Sequence, residues 1–164
     1  MTGSDSSARV RKLRMRRRDR VGDAVFRALA RLGIGPAWVL TTRGRRTGKL
    51  RHTPVIPINQ GGRRWLVAPY GEVSWVRNAR AAGQVQLTRG RTKQTCSIRQ
   101  ASPQEAGPIL KEYVQVASAT RPYFAVSIDA PISAFVAEAG RHPVFELMSL
   151  NVSRASESNS RAGC

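Results

Sequence analysis

The sequence predicts an α+β fold in which an antiparallel barrel of about six strands carries flanking helices. Its 164 residues suit one domain with a modest core. Short alternating segments joined by glycine turns, such as Asn59-Gln60-Gly61-Gly62, indicate hairpins and therefore antiparallel pairing. Helical periodicity and capping signals recur between these segments, so strands and helices are interspersed along one domain.

The first twenty residues form a strongly basic arm. The chain has 28 Lys and Arg against 10 Asp and Glu, which gives a formal net charge of +18. Residues 1–20 carry many of these cations and few apolar side chains, so we expect a disordered arm. The charge itself indicates an anionic partner, which leaves nucleic acid, an acidic membrane face or a polyanionic small molecule.

Residues 21–32 have apolar side chains at helical spacing with basic and acidic ones facing away. This helix either covers the core or, together with the arm, makes residues 9–32 a peripheral contact for an anionic membrane. No apolar run is long enough to span a bilayer. The run Arg16-Arg17-Arg18 superficially resembles a twin-arginine signal, but no apolar segment of the needed length follows it. Cys96 and Cys164 are too few for a disulfide framework. We therefore expect a cytoplasmic protein, with peripheral membrane association as an added possibility.

The next segment is expected to contain strands at 37–42, 50–58 and 63–69. Pro54 and Pro57 imply an edge, a bulge or a distortion in the second strand, because proline lacks the donor that a central ladder needs. A short helix is predicted over 74–82, with Ser74 as its N-cap and Gly83 as its end.

Strands at 84–88 and 92–99 follow, joined by the turn Arg89-Gly90-Arg91, and they place Cys96 on a strand face as an inert residue. Ser102 and Glu105 form a capping-box pattern that begins a longer helix. A loop at 121–124, a short helix at 131–138 and a strand at 143–150 complete the domain, which we place at 21–150. The polar segment 151–164 is expected to be disordered.

The most unusual feature is the turn between the first two strands. Gly44 and Gly48 allow backbone conformations that are closed to other residues, and the cations crowd around them. An anion would relieve their mutual repulsion, because guanidinium groups bind phosphate and carboxylate in bidentate fashion. The spacing is not that of a Walker A loop, since three residues separate the glycines and Leu50 follows the lysine. The cations are Arg43, Arg45, Arg46, Lys49 and Arg51.

Other chemistry signals are few. His52 and His142 share no metal-ligand spacing, and neither a Ser-His-Asp pattern nor paired catalytic carboxylates are evident. If the protein is an enzyme, a bound cofactor is expected to carry the difficult chemistry.

The motifs Leu40 to Arg51, Thr53-Pro54-Val55, Ala68-Pro69-Tyr70-Gly71 and Ser74-Trp75-Val76-Arg77-Asn78 together resemble the deazaflavin-dependent nitroreductase family of actinobacteria. The segment Arg141-His142-Pro143-Val144-Phe145 resembles a C-terminal feature of its relatives. The likeness covers roughly residues 37–150, with the motifs in the expected order and spacing.

This resemblance implies a split β-barrel, commonly a homodimer, that binds coenzyme F-420, an 8-hydroxy-5-deazaflavin with a phosphate and an oligoglutamate tail. It implies hydride transfer to a small electron-poor acceptor, namely a quinone, an activated alkene or a nitroaromatic. Tyr123 is the candidate catalytic residue, positioning or protonating the acceptor. The implied cofactor-binding residues are Arg45, Arg46, Thr47, Arg51, Thr53, Pro54, Val55, Ala68, Pro69, Tyr70, Trp75 and Asn78.

The sequence departs from the best-known members, which carry serine and lysine in place of Pro69 and Tyr70. Their tyrosine-rich segment is reduced here to Tyr123 and Phe124. Each singled-out residue also has an ordinary interpretation: Trp75 as a core residue, Asn78 as a backbone partner, Tyr123 as a half-buried loop tyrosine, and the arginines as solvated turn charges.

Two other classes of protein remain open. One is a split barrel that binds flavin mononucleotide or haem without this activity. The other is a basic nucleic-acid-binding module. We expect no specific nucleic-acid partner, because the aromatic residues are dispersed and form no evident stacking platform among the basic ones.

Overall fold

The computed structural model describes residues 27–28 and 35–150. The predicted arm at 1–20 and the predicted tail at 151–164 lie outside the described residues. Of the predicted helix at 21–32, the described residues are Arg27 and Ala28, which are helical. The proposed membrane contact through 9–32 therefore falls almost wholly outside the described part of the chain. Within that part, no helix combines the length and apolarity needed to cross a membrane.

The described residues form a mixed fold of antiparallel strands and helices, in agreement with the predicted α+β class. The strands are β1 Trp38–Arg43, β2 Leu50–Val55, β3 Ile58–Gln60, β4 Arg63–Val67, β5 Gln84–Arg89, β6 Thr92–Gln100 and β7 Val144–Ser149. The helices are α1 Ser74–Ala82, α2 Pro103–Val116 and α3 Ile132–Glu138, with a 3-10 helix at Ser118–Tyr123.

All seven strands belong to one sheet in the order β2-β1-β5-β6-β7-β4-β3, and every neighbouring pair is antiparallel. Strands β2 and β3 stand at opposite ends of this order, yet only Ile56 and Pro57 separate them in sequence. Six strand spacings in a flat sheet would cover about 29 Å, whereas the chain from Val55 to Ile58 spans at most about 11 Å. The sheet is therefore curled until its two edges approach, which is the geometry of a split barrel.

The curled sheet has a hydrophobic core on each face. The inner core joins buried strand residues such as Leu40, Leu87 and Phe145 to Trp75 and Val76 of α1. The outer core packs α2 and α3 against the other face through residues such as Trp65 and Phe135. Helix α1 thus fills the interior of the curl, and this placement brings it close to the end of β1.

Several local predictions are confirmed. Glycines 61 and 62 form the β3–β4 turn with positive φ, and Gly83 ends α1 in the left-handed region. The capping box at the start of α2 is present, because Ser102 and Glu105 exchange side-chain to backbone hydrogen bonds. Strand β2 lies at an edge of the sheet, as its proline implied.

Other details differ from the prediction. The strand expected over 50–58 is two strands, because the chain leaves β2 at Ile56-Pro57 and enters the opposite edge as β3. This break raises the strand count from about six to seven in the described residues. The expected loop at 121–124 is largely a 3-10 helix. Ser74 is the first residue of α1 rather than its cap, and the capping position is Val73, which offers no side-chain hydrogen bond.

Candidate functional site

The arginine-rich turn connects β1 to the edge strand β2 and is closed by its own backbone. The Gly44 N–H donates to the Lys49 carbonyl at 2.8 Å, and the Gly48 N–H donates to the Gly44 carbonyl at 2.8 Å. The guanidinium of Arg43 donates to the Gly48 carbonyl at 3.1 Å. Gly48 has a φ of 65°, which only glycine adopts without strain. The turn is therefore a compact scaffold that holds its cations close together.

The cations of this turn are exposed and lack acidic neighbours. Within the described part of the chain, the side chains of Arg46, Lys49 and Arg51 form no ion pair and no hydrogen bond. By contrast, arginines elsewhere in the domain pair with carboxylates, as Arg99 does with Glu105 and Glu146. The turn thus concentrates positive charge that no protein anion neutralises, which favours binding of an external polyanion.

Asn78 fixes this turn to the interior of the barrel. Its side chain is 4% exposed, and its Oδ1 accepts hydrogen bonds from the Arg45 backbone nitrogen at 3.3 Å and from Arg45 Nη1 at 3.4 Å. Trp75 lies three residues earlier on the same face of α1 and packs edge-on against Phe145, with ring centroids 6.0 Å apart. The structure therefore brings Asn78 to the turn and places Trp75 in the inner core.

A second buried polar group lies at the end of β1. Thr42 is 3% exposed, and its hydroxyl has no hydrogen-bond partner among the described residues. It pairs in register with Arg51, directly before the turn. A buried unpaired hydroxyl is costly. The sequence analysis did not identify Thr42 as a binding residue, because its position in the pattern is that of an ordinary strand residue.

The motif Thr53-Pro54-Val55 lies on β2 and pairs with Leu40, Val39 and Trp38 of β1. Because β2 ends the sheet order, the side of this strand that faces away from β1 has no partner strand among the described residues. Thr53 and Pro54 are half-buried and Val55 is buried. This leaves an edge of backbone beside the arginine turn.

The structure brings Tyr70 and Tyr123 together, although they are distant in sequence. Their ring centroids lie 4.7 Å apart with an interplanar angle of 87°. Ala68 and Pro69 are buried, whereas Tyr70 is 54% exposed and Tyr123 is half-buried at the end of the 3-10 helix. The pair presents an aromatic surface next to the segment that leads into α1.

Behind this pair is a buried polar cluster that sequence reasoning did not identify as functional. His142 Nε2 lies 3.2 Å from Glu138 Oε2, and both side chains are buried. Burial lowers the pKa of His142, while the Glu138 carboxylate and the backbone of Pro69 and Ala68 oppose that shift. A signal for this contact was present in the sequence, because His142 follows Glu138 by four residues. That spacing places two side chains on the same side of a helix end.

A surface cavity among the described residues lies elsewhere. It has a volume of about 480 Å³ and is lined by Asn59, Gly62, Arg63, Arg64, Gln94, Cys96, Glu146, Leu147 and Ser149. Its guanidinium groups already have partners, since Arg63 pairs with Glu146 and Arg64 donates to Gln94 at 2.8 Å. None of the sequence-predicted site residues lines it, so we place the candidate site at the turn rather than in this cavity. In the described part of the chain, no group of three or more metal-ligating side chains is placed to bind a metal ion.

Comparison with known families gave a match over most of the chain. A family model described as F420H(2)-dependent quinone reductase matches residues 9–139. Among curated proteins, no sequence matches this one.

Solved structures with a similar fold include three that cover most of this chain. One is described as F420-H2 Dependent Reductase (FDR-A), with 24% identity over 68% of this chain and 93% of that chain and a TM-score of 0.50. Another, described as a domain-swapped dimer, has 20% identity over 79% of this chain and 95% of that chain and a TM-score of 0.51. The third is the protein Atu2129 of unknown function, from Agrobacterium tumefaciens str. C58. It has 13% identity over 77% of this chain and 54% of that chain and a TM-score of 0.52. At these identities, the structural likeness concerns the fold.

Proposed function

Since this chain belongs to the F420H(2)-dependent quinone reductase family and is a coenzyme F-420-dependent oxidoreductase, we propose that it reduces a quinone and that its arginine turn holds the anionic part of the cofactor. The observation that carries the proposal is the turn itself. It presents three cations with no protein partner in the described residues, and it is fixed to a buried Asn78 through Arg45.

The residues at the turn fit the charged part of this cofactor. Phosphate and glutamate carboxylates are acceptors only, and Arg45, Arg46 and Arg51 supply donors in the fork geometry that such groups accept. Thr47 and the orphan hydroxyl of Thr42 add neutral donors at the same end of β1. The closed backbone between Gly44 and Lys49 keeps these groups in place before the ligand arrives, which reduces the ordering cost of binding.

The ring of the cofactor would lie beside β2 and the Ala68-Pro69 segment. The edge of β2 at Thr53-Pro54-Val55 has no partner strand on one side, so its backbone is available to a flat ring. Trp75 is buried behind this region, and we assign it to shaping the wall rather than to direct contact. When bound, the reduced deazaflavin supplies two electrons as a hydride.

Tyr70 and Tyr123 would receive the acceptor. A quinone is flat and apolar with two carbonyl oxygens, so an aromatic surface with a hydroxyl donor suits it. Reduction to the hydroquinone takes up one hydride and one proton, and we assign to the Tyr123 hydroxyl the role of orienting a quinone oxygen or delivering that proton. Tyr70 stands where the best-known members of the nitroreductase family have lysine, which makes this side of the site more aromatic and less charged.

The proposal is tested by binding and by turnover. The purified protein is titrated with oxidised coenzyme F-420 and with flavin mononucleotide, following the fluorescence of each. It is then supplied with reduced coenzyme F-420 and a water-soluble naphthoquinone, and the reappearance of oxidised cofactor is measured. We expect micromolar binding of coenzyme F-420 and quinone-dependent oxidation. Binding of the flavin alone, or reduction of a nitroaromatic or an activated alkene but not of the quinone, would contradict the proposal.

We also propose that the protein is a homodimer. Support comes from the similar fold that was solved as a domain-swapped dimer, and light scattering during gel filtration provides the test. The comparisons give no support for membrane contact through residues 9–32. That contact stays a prediction, and sedimentation with anionic liposomes before and after deletion of residues 1–20 would decide it.

A further inference from the structure

The edge contact between Tyr70 and Tyr123 is too weak to determine its own geometry. An aromatic pair contributes about 0.5–1.5 kcal/mol, and Tyr70 is more than half exposed. The two residues lie on separate segments, one after β4 and one at the end of the 3-10 helix. Their relative position must therefore be set by whatever holds the two segments.

The segment that carries Tyr70 lies against the backbone that follows α3. The Ala68 N–H donates to the Pro143 carbonyl at 2.9 Å. Gly71 has a φ of 77°, and a Cβ at this position would lie 3.1 Å from the Arg141 carbonyl oxygen. The position of Tyr70 is therefore set by contacts of its neighbours Ala68 and Gly71 with the backbone of residues 141–143.

The segment that carries Tyr123 lies against two side chains from the same place. The Phe124 ring stacks on the His142 imidazole, with centroids 4.1 Å apart and an interplanar angle of 26°. The Ala125 N–H donates to Glu138 Oε2 at 3.3 Å. His142 and Glu138 therefore hold the residues that immediately follow Tyr123.

Both tyrosine segments consequently depend on one buried pair. Glu138 and His142 are 6% and 4% exposed, and Glu138 Oε2 serves both His142 Nε2 and the Ala125 N–H. Glu138 Oε1 is 3.5 Å from the guanidinium of Arg141. Burying a carboxylate and an imidazole is costly when apolar side chains could fill the same space, which indicates that the pair contributes geometry.

We propose that Glu138 and His142 are positioning residues, which set Tyr123 against Tyr70 and so determine the surface that receives the hydride acceptor. The role of that surface in binding the acceptor rests on the proposed function. That the pair sets the position of the two tyrosines rests only on the contacts of Glu138 and His142 given above. Neither residue is placed to touch the cofactor-binding turn.

The test replaces the pair by apolar side chains of similar size, in the double variant Glu138→Leu with His142→Phe. The phenylalanine keeps a ring against Phe124, so what is lost is the hydrogen-bonded link. We expect the nuclear Overhauser contacts between the two tyrosine rings to disappear. The KM for the quinone should rise by about tenfold or more, because small misplacements of a binding surface are costly. The Kd for oxidised coenzyme F-420 should change by less than the KM does, because the arginine turn keeps its own contacts and only the Ala68-Pro69 segment lies against the backbone around His142.

Two further variants calibrate the result. Glu138→Gln keeps the acceptor for the Ala125 N–H, and it should keep the ring contacts with a KM within about threefold of the wild type. Glu112→Leu makes the same chemical change on α2, away from the pair, and should alter neither measurement. With three tyrosines in the chain, the ring signals are readily assigned.

A folded double variant that retains the ring contacts and the wild-type KM would overturn the inference. Should the double variant not fold, the single variant Glu138→Leu answers the same question, because it removes the acceptor of the Ala125 N–H, keeps the stacking of His142 on Phe124 and leaves no buried carboxylate unpaired. An absence of quinone reduction by the wild type would refute the proposed function instead, and the ring contacts would still decide whether the pair positions the tyrosines.

Discussion

The side chain of Asn78 accepts two hydrogen bonds from Arg45, one from its backbone nitrogen at 3.3 Å and one from its guanidinium at 3.4 Å. A buried amide on α1 thereby holds the centre of an exposed cationic turn. The contact joins the inner core of the barrel to the charged end of the site. It also explains why a polar residue is buried among apolar neighbours on this helix.

Replacing Asn78 with alanine should weaken binding of oxidised coenzyme F-420 by about tenfold, because the turn loses its anchor. It should also lower the free energy of unfolding by about 1–3 kcal/mol, since the Arg45 N–H loses its partner. Fluorescence titration and urea unfolding measure the two effects. Arg77→Ala, at the exposed preceding position, should change neither. If Asn78→Ala lost stability but kept full affinity for the cofactor, Asn78 would have a structural role only.

The double variant Arg45→Ala with Arg46→Ala should weaken binding of the tailed cofactor by at least about tenfold, since hydrogen bonds to charged groups contribute about 1.5–3 kcal/mol each. Affinity for the same deazaflavin without phosphate and glutamate should change little, because only the anionic part meets the turn. Arg91→Ala with Lys93→Ala, at two exposed positions in and just after the β5–β6 turn, is the matched control for net charge, because it also removes two positive charges. Equal losses for the tailed and the tailless ligand would contradict an anion clamp.

The parts of this fold that the sequence predicted are those with local signals. The capping box of Ser102 and Glu105 and the paired glycines at 61 and 62 each act within a few residues, so they were read directly. The barrel itself was predicted, and the family resemblance implied a split β-barrel, but the connection that closes it was not, because Ile56 and Pro57 join opposite edges of the sheet within what was expected to be one strand. Sheet order is set by long-range pairing, which local patterns do not report.

The candidate site divides in the same way. The arginine turn could be identified because two glycines and five cations lie within the nine residues from Arg43 to Arg51. The contact of Tyr70 with Tyr123 and the buried pair of Glu138 and His142 could not, since each joins residues through tertiary packing. Trp75 shows the limit of motif reasoning, because a tryptophan beside a site and a tryptophan in a core have the same spacing on an amphipathic helix.

Gly48 offers a test of the shape of the turn, separate from its charge. Gly48 and Gly61 have φ values of 65° and 61°, and a Cβ at either position meets no atom within 4 Å. Alanine at either position should therefore cost about 1–2 kcal/mol of stability from backbone strain alone. Gly48→Ala should in addition weaken cofactor binding by about tenfold, whereas Gly61→Ala should not. Equal cofactor affinity in the two variants would show that the turn adapts to its ligand.

The burial of His142 predicts how stability depends on pH. Because its pKa is lowered in the folded protein, the unfolded chain binds more protons between that pKa and the usual value of about 6.5. The stability contributed by neutral His142 is present above that usual value and is lost as the pH falls toward the folded pKa. The groups facing it are the Glu138 carboxylate, itself paired with Arg141, and the backbone of Ala68 and Pro69.

Urea unfolding from pH 5 to 8 measures this dependence. The double variant Glu138→Gln with His142→Phe differs from the single variant Glu138→Gln only at His142, so its loss of stability on acidification should be smaller than that of Glu138→Gln. Identical slopes would mean that His142 binds its proton equally well in the folded and unfolded states.

The variant Tyr123→Phe tests the contribution of the Tyr123 hydroxyl separately from that of its ring. The variant keeps the edge contact with Tyr70 at 4.7 Å and removes the proton donor. General acid catalysis contributes about 10²–10⁴-fold, so kcat with the quinone should fall by about a hundredfold while the Kd for the cofactor stays unchanged. Thr92→Val, which removes an exposed hydroxyl at the start of β6, is the control and should leave kcat unaltered. Full activity in Tyr123→Phe would show that water supplies the proton. Tyr123 would then act only through its ring, in which case Tyr123→Leu should raise the KM for the quinone.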